Sequence, residues 1–203
     1  MTLLAVDNVV KEYTRGAFRR QVTFRLEAAF RVDQPEIVGV MGPNGSGKTT
    51  LFELITGSNE PTSGRVQCMG QDIHGVKARE RDRLAIHYHQ SYQVRRFRRR
   101  KPDFLLEAAN SAYPMVHLFD EPQFNAQDGY IGFMLEFFRR LRDEGRVVFV
   151  CLHPTERYHL DILREVCERF IFVERGKIAL FPGYAAALAD ARVAAYLGEG
   201  ARA

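Results

Sequence analysis

A five-residue apolar run, Ile37-Val38-Gly39-Val40-Met41, leads straight into Gly42-Pro43-Asn44-Gly45-Ser46-Gly47-Lys48-Thr49-Thr50. The apolar run reads as a buried strand. Gly42-x-x-x-x-Gly47-Lys48-Thr49 has the spacing of a phosphate-binding loop between a strand and a helix. Glycines let the backbone curl until successive N–H groups converge on one point. A helix starting at Lys48 adds the positive end of its dipole at that point. Lys48 is then placed to reach the β- and γ-phosphates of a nucleotide, and Thr49 to offer its hydroxyl to Mg²⁺. The same glycines could serve a plain tight turn, but every fixed position of the loop is filled in strand-to-helix context.

The remaining chain must build a sheet around this loop. Leu3 to Tyr13 reads as an opening strand, and Gln21 to Val32 alternates well enough for a second, half-exposed one. Together they predict an antiparallel sheet ahead of the nucleotide core. Thr49 to Thr56 predicts a helix capped by Gly57. Glu60 to Val66 predicts a turn into a strand, Leu84 to Tyr88 a further short strand, and Phe104 to Ala112 a helix. Ile131, Met134, Leu135, Phe138 and Leu141 share one helical face. Val147 to Leu152 reads as a buried strand and Glu156 to Glu168 as a helix. Phe170 to Val173 and Lys177 to Phe181 flank Gly176 as a hairpin, and Tyr184 to Leu197 reads as one Ala-rich helix. Strands alternating with helices give an α/β fold, a P-loop core with a mainly parallel sheet. At 203 residues one domain, 1–203, is expected. The three cysteines, Cys68, Cys151 and Cys167, have no paired spacing and read as buried thiols of a reducing compartment. The N-terminus carries no signal-peptide pattern, which predicts a cytoplasmic chain.

Met115 to Phe119 is an apolar strand ending in two acids, Asp120 and Glu121. An acid at a strand end is the expected partner of a phosphate loop. Asp120 would hold Mg²⁺ and Glu121 would act as general base on the attacking water. His117 within this strand reads as a core or interface histidine.

With both motifs in place, most of the chain resembles the ATPase subunit of an ATP-binding cassette (ABC) system. The resemblance extends to Tyr13, where the family stacks an aromatic on adenine, and to Thr56-Gly57 and Pro61 to Val66. It includes Gln90 as the glutamine that contacts Mg²⁺ and water, Asp128 as the aspartate after the second acid motif, and His153 as the histidine that touches the γ-phosphate. The resemblance implies ATP and Mg²⁺ as ligands. Catalysis would fall to Glu121, His153 and Lys48. Nucleotide contacts would come from Tyr13, Gly42, Pro43, Asn44, Gly45, Ser46, Gly47, Lys48, Thr49, Thr50 and Gln90, and metal contacts from Thr49, Gln90 and Asp120. It further implies a second ABC ATPase subunit, in a homodimer or heterodimer, and a membrane-spanning transporter subunit. The chain itself would lie at the cytoplasmic face of the membrane. A non-transport ATPase or a nucleotide-dependent regulator built from the same parts is the alternative.

Two departures stand out. Only Ser91 to Pro114 separates Gln90 from the Met115 strand, which is too short for the family's helical subdomain, so a reduced subdomain is expected. No Leu-Ser-Gly-Gly-Gln signature occurs there. In its place stands Arg95-Arg96-Phe97-Arg98-Arg99-Arg100-Lys101, readable as a solvated basic loop or as an anion site. Aromatic residues are sparse around it, so nucleic acid is not expected as a partner.

Overall fold

The computed structural model describes residues 1–16, 21–89, 114–122, 130–152 and 157–198. The chain runs β1 (Leu4–Arg15), β2 (Gln21–Val32), β3 (Ile37–Met41), α1 (Lys48–Thr56), β4 (Ser63–Cys68), β5 (Gln71–Asp72), α2 (Ala78–Leu84) and β6 (Ala85–His89). It continues with β7 (Val116–Asp120), α3 (Tyr130–Asp143), β8 (Val147–Cys151), α4 (Arg157–Val166), β9 (Arg169–Glu174), β10 (Lys177–Phe181), α5 (Tyr184–Ala189) and α6 (Ala191–Leu197). Among the described residues one mixed ten-stranded sheet forms, in the order β5-β4-β1-β2-β10-β9-β3-β8-β7-β6.

The sheet has two halves. Strands β4, β1 and β2 are antiparallel neighbours, whereas β9, β3, β8, β7 and β6 are parallel. Every residue of β3, β7 and β8 is buried, as parallel strands covered on both faces must be. Helix α1 covers one face through Leu51, Phe52, Leu54 and Ile55, packed with Val38, Val40, Leu118 and Phe149. Helices α3 and α4 cover the other through Met134, Leu135, Phe138, Leu141, Ile162 and Leu163, against Ile37, Met41, Phe119 and Val150. Each such side chain contributes on the order of 1.5–3 kcal/mol by leaving water. The stripe expected on α3 is therefore the stripe that packs.

The expected α/β fold with antiparallel N-terminal strands is observed. Gly57 caps α1 in the left-handed conformation at φ 71°. His117 is a core histidine, fully buried and stacked 5.9 Å from Tyr88. Burial, reinforced by the Arg146 charge, pushes its pKa down to about 3, so the ring is neutral.

One expectation is corrected, and one helix is new. The terminal Ala-rich stretch is two helices, not one, because the Asp190 side chain accepts the Arg192 N–H at 2.9 Å and starts a new helix. Helix α2 was not foreseen: Ala-Arg-Glu-Arg-Asp-Arg-Leu offers little apolar periodicity, and Leu84 is its buried anchor. The Phe104 to Ala112 helix, the Arg95 to Lys101 run, Gln90, Asp128 and His153 lie outside the described residues.

One joint holds the phosphate loop to the sheet. Gly176, in the β9–β10 turn, donates its N–H to Ser46 O at 3.0 Å and accepts the Glu27 N–H at 2.7 Å. A Cβ there would sit 1.8 Å from Arg25 O, and its φ is 74°. We expect Gly176→Ala to destabilise the protein by about 2–4 kcal/mol, the sum of left-handed strain and a backbone clash. Chemical denaturation measures this, and a loss under about 1 kcal/mol would contradict the close approach.

Candidate nucleotide-binding site

The loop between β3 and α1 is built as its spacing requires. Gly42 approaches β9 so closely that a Cβ would lie 2.1 Å from Val173 O. On the opposite side Gly45 faces open space, with nothing within 4 Å of an added Cβ. The first intrahelical bond of α1 runs from the Leu51 N–H to Gly47 O at 2.9 Å. The N–H groups of Lys48, Thr49 and Thr50 therefore have no helical acceptor behind them. Lys48 is buried, and its ammonium donates to Gly42 O at 2.7 Å and to Pro43 O at 3.0 Å. The charge is thus drawn over the loop instead of into solvent.

The two acids close the other side. Asp120 ends β7, is buried, and its Oδ2 accepts from Thr49 Oγ1 at 3.1 Å. Burial alone would push its pKa up, but donation by His87, Thr49 and Cys151 outweighs burial and holds the carboxyl below its ordinary value. Burial likewise pushes the Cys151 thiol well up, so it remains a donor. Glu121 follows in the left-handed region at φ 49°, its N–H bonded to Cys151 O at 2.9 Å. That backbone turn separates the paths of the two carboxylates, at a cost of about 1–3 kcal/mol for a non-glycine residue.

These parts line one cleft of about 360 Å³, bounded by Tyr13, Phe24, Asn44, Gly45, Gly47, Lys48, Thr49, Thr50, Asp120 and Glu121. Tyr13 presents a partly exposed ring whose hydroxyl accepts from Asn59 Nδ2 at 2.7 Å. The Lys11 ammonium lies 5.3 Å over that ring. The cleft has a volume and a mixture of ring and polar wall suited to a small charged ligand.

The residues fit ATP with Mg²⁺ on three observations. The Ser46 hydroxyl is buried without a hydrogen-bond partner beside the loop. Gly45 leaves room for a ligand against the backbone. Thr49 and Asp120 bring together two oxygen donors, the type preferred by a hard divalent cation.

Of the residues named from sequence, Tyr13, the Gly42–Thr50 loop, Asp120 and Glu121 meet at this cleft. Gln90 and His153 lie outside the described residues, one position beyond β6 and two beyond β8. Three contributors escaped the sequence reading. Phe24 lines the cleft with its centroid 6.2 Å from that of Tyr13, and would clash at 2.9 Å with a Cβ on Gly47. His87 contacts Asp120 at 3.3 Å. Tyr196, on α6, accepts the Gly42 N–H, and burial pushes its pKa to about 12. Only the alternation of β2 could have flagged Phe24. Nothing local flags the other two.

The left-handed turn at Glu121 generates a stability prediction. Glu121→Gly and Glu121→Ala remove the same carboxylate, but only glycine adopts φ 49° without strain. We expect the glycine variant to be more stable than the alanine variant by about 1 kcal/mol. Equal unfolding free energies in denaturant would show that the turn relaxes.

Comparison with known proteins agrees with this geometry. The family model described as ABC transporter matches residues 27–129, just over half of the chain. The lipopolysaccharide export system ATP-binding protein LptB of Haemophilus influenzae is 27% identical over 226 aligned positions, covering 88% of this chain and 89% of LptB. That alignment is longer than the chain's own 203 residues, so LptB carries residues that this chain lacks. The ATP-binding protein ChvD of Rhizobium radiobacter is 40% identical over 72 residues, 36% of this chain and 23% of ChvD. The chain thus spans about a quarter of that relative's length. A crystal structure of an ATP-binding cassette of an ABC transporter in its ADP conformation superposes with a TM-score of 0.69 at 17% identity, over 97% of this chain and 98% of the other. That likeness is one of fold.

Proposed function

We propose, from the premise that this chain belongs to the ABC transporter family, that it is an ATP-binding and ATP-hydrolysing subunit energising a membrane-spanning transporter partner. The single observation that carries the reading is the convergence of the phosphate loop, Asp120 and Glu121 on one cleft, with Thr49 and Asp120 in contact at 3.1 Å.

In this reading ATP lies along the cleft with its base on Tyr13 and its phosphates in the loop from Gly42 to Thr50. Lys48 turns from the carbonyls of Gly42 and Pro43 to the β- and γ-phosphates. Thr49 and Asp120, joined by Gln90, hold Mg²⁺, which neutralises phosphate charge when bound. Glu121 takes the proton of the attacking water, and His153 meets the γ-phosphate. The site works with a second ABC ATPase subunit: because the Ser91 to Pro114 stretch carries no signature motif, a heterodimer partner would supply one, whereas a homodimer would have to use Arg98, Arg99 and Arg100 in its place. The purified chain alone is accordingly a weak ATPase. Among the described residues no helix is long and apolar enough to cross a membrane. In this reading the chain acts at the cytoplasmic face, through its partner.

The test separates binding from chemistry. Lys48→Ala should abolish or strongly weaken ATP binding by calorimetry, since it removes the charge that meets the phosphates. Glu121→Gln should bind ATP as the parent does and lose turnover, falling by on the order of 10²–10⁴-fold. Binding unaffected by Lys48→Ala, or parental turnover in Glu121→Gln, would overturn the reading.

The base subsite makes its own prediction. Tyr13→Ala should weaken ATP by about 1–3 kcal/mol, the range of base–aromatic stacking, and should leave inorganic triphosphate unaffected. If ATP and triphosphate already bind the parent equally, Tyr13 has no such role.

A further inference from the structure

Asp120 is surrounded by donors: Thr49, Cys151 and, from β6, His87. Thr49 Oγ1 donates to Oδ2 at 3.1 Å, and His87 Nε2 lies 3.3 Å from the same oxygen. An ionised carboxylate has only acceptors, so this contact requires the proton to sit on Nε2. In the β6–β7 pairing His87 stands opposite Leu118, and His89 opposite Asp120. The His87 ring must therefore lean two residues forward along the strand to make the contact. It is held there from behind. The ring meets Phe52 edge-on, at 5.5 Å and 89°. Phe52 is fully buried on α1, the helix that begins with Lys48 and Thr49. A single side chain thus touches both the helix that carries the phosphate loop and the acid opposite it.

We propose that His87 is a positioning residue for the metal-holding carboxylate. Its Nε2–H engages Oδ2 of Asp120 and fixes the direction in which the carboxylate faces Thr49. The inference rests on the Mg²⁺-ATP reading of the cleft. Its physical basis is the exchange of partners that metal binding imposes. A Thr49 hydroxyl that turns to a cation can no longer donate to Asp120. The cation then takes that donor's place at the carboxylate, and His87, beside the Cys151 thiol, remains to hold its orientation. Groups standing behind a metal ligand in this way typically change metal affinity 10- to 100-fold when removed, in order-of-magnitude terms. An aromatic ring of pure packing function would fill the space against Phe52 equally well. The Nε2 contact is what distinguishes the two roles.

The experiment titrates Mg²⁺ against ATP binding, measured by calorimetry, with a parallel measurement in EDTA. His87→Phe keeps a ring on Phe52 and removes the donor. His87→Asn places an amide nitrogen where Nδ1 stood, short of Asp120, whereas His87→Gln places one where Nε2 stood. Both His87→Phe and His87→Asn should raise the half-saturating Mg²⁺ concentration on the order of 10-fold, with ATP affinity in EDTA unchanged. His87→Gln should restore the parental Mg²⁺ dependence. If His87→Phe does not fold, the contrast between asparagine and glutamine carries the test. Parental Mg²⁺ dependence in the phenylalanine or asparagine variant overturns the proposal. So does a glutamine variant as impaired as they are, or a parallel loss of ATP affinity in EDTA. A parent chain that binds no ATP with or without Mg²⁺ overturns the nucleotide reading itself and this assignment with it.

Discussion

The structure depends on how the carbonyls of one loop are satisfied. A phosphate loop turns its N–H groups toward a ligand, so its carbonyls face the protein and must find donors there. Lys48 supplies two, to Gly42 O and Pro43 O. The Leu51 N–H supplies Gly47 O, and the Gly176 N–H, from a turn far along the chain, supplies Ser46 O. The last of these dictates topology. The β9–β10 hairpin must lie under the loop, so it becomes the join between the antiparallel and parallel halves of the sheet. That join is slender: β10 meets β2 at one register pair, Lys177 with Glu27. The Gly176 bonds to Ser46 and Glu27 reinforce it just where the loop crosses.

What was legible in the sequence follows from the range of the interactions involved. The loop, the β3 and β8 strands and the α3 stripe are local patterns, set by spacing and by runs of apolar residues. The acid pair was legible because an apolar strand ends in two carboxylates. Contacts between distant segments left no local trace. His87 looks like one of two histidines in a short strand, and only the β6–β7 register brings it to Asp120, 33 positions away. Tyr196 looks like one aromatic in an Ala-rich helix, yet it reaches Gly42. Helix α2 was hidden for a different reason. Its charges outnumber its apolar residues, and burial of Leu84 together with bonds from Arg81 to Gly57 O and Val76 O holds it. The break at Asp190 went unread, because the alanines on either side of it favour one unbroken helix.

The two acids show why their strand end is built as it is. Adjacent carboxylates at one strand end repel, and burial would neutralise one of them. Here the end of β8 anchors both. The Cys151 thiol donates to Asp120, and the Cys151 carbonyl accepts the Glu121 N–H. The left-handed turn at Glu121 then carries its side chain away from the buried, donor-rich surroundings of Asp120. Asp120 remains charged in the interior, while Glu121 stands half-buried at the cleft. The proposed roles, one acid holding a metal and the other accepting a proton, would need these two different environments, and one cysteine's backbone and side chain help to provide both.

The cleft also crosses the join of the sheet. Tyr13 and Phe24 belong to β1 and β2, in the antiparallel half, whereas Asp120 and Glu121 stand at the end of β7, in the parallel half. A nucleotide bound as proposed would stack on one half and coordinate to the other, bridging a seam whose backbone pairing is one register pair and the Gly176 bonds, over a core that both halves share. Phe24 strengthens this link, because it rests on Gly47 and so already joins the base side of the cleft to the phosphate loop. The residues that would recognise the ligand are, on this argument, drawn from both halves of the sheet.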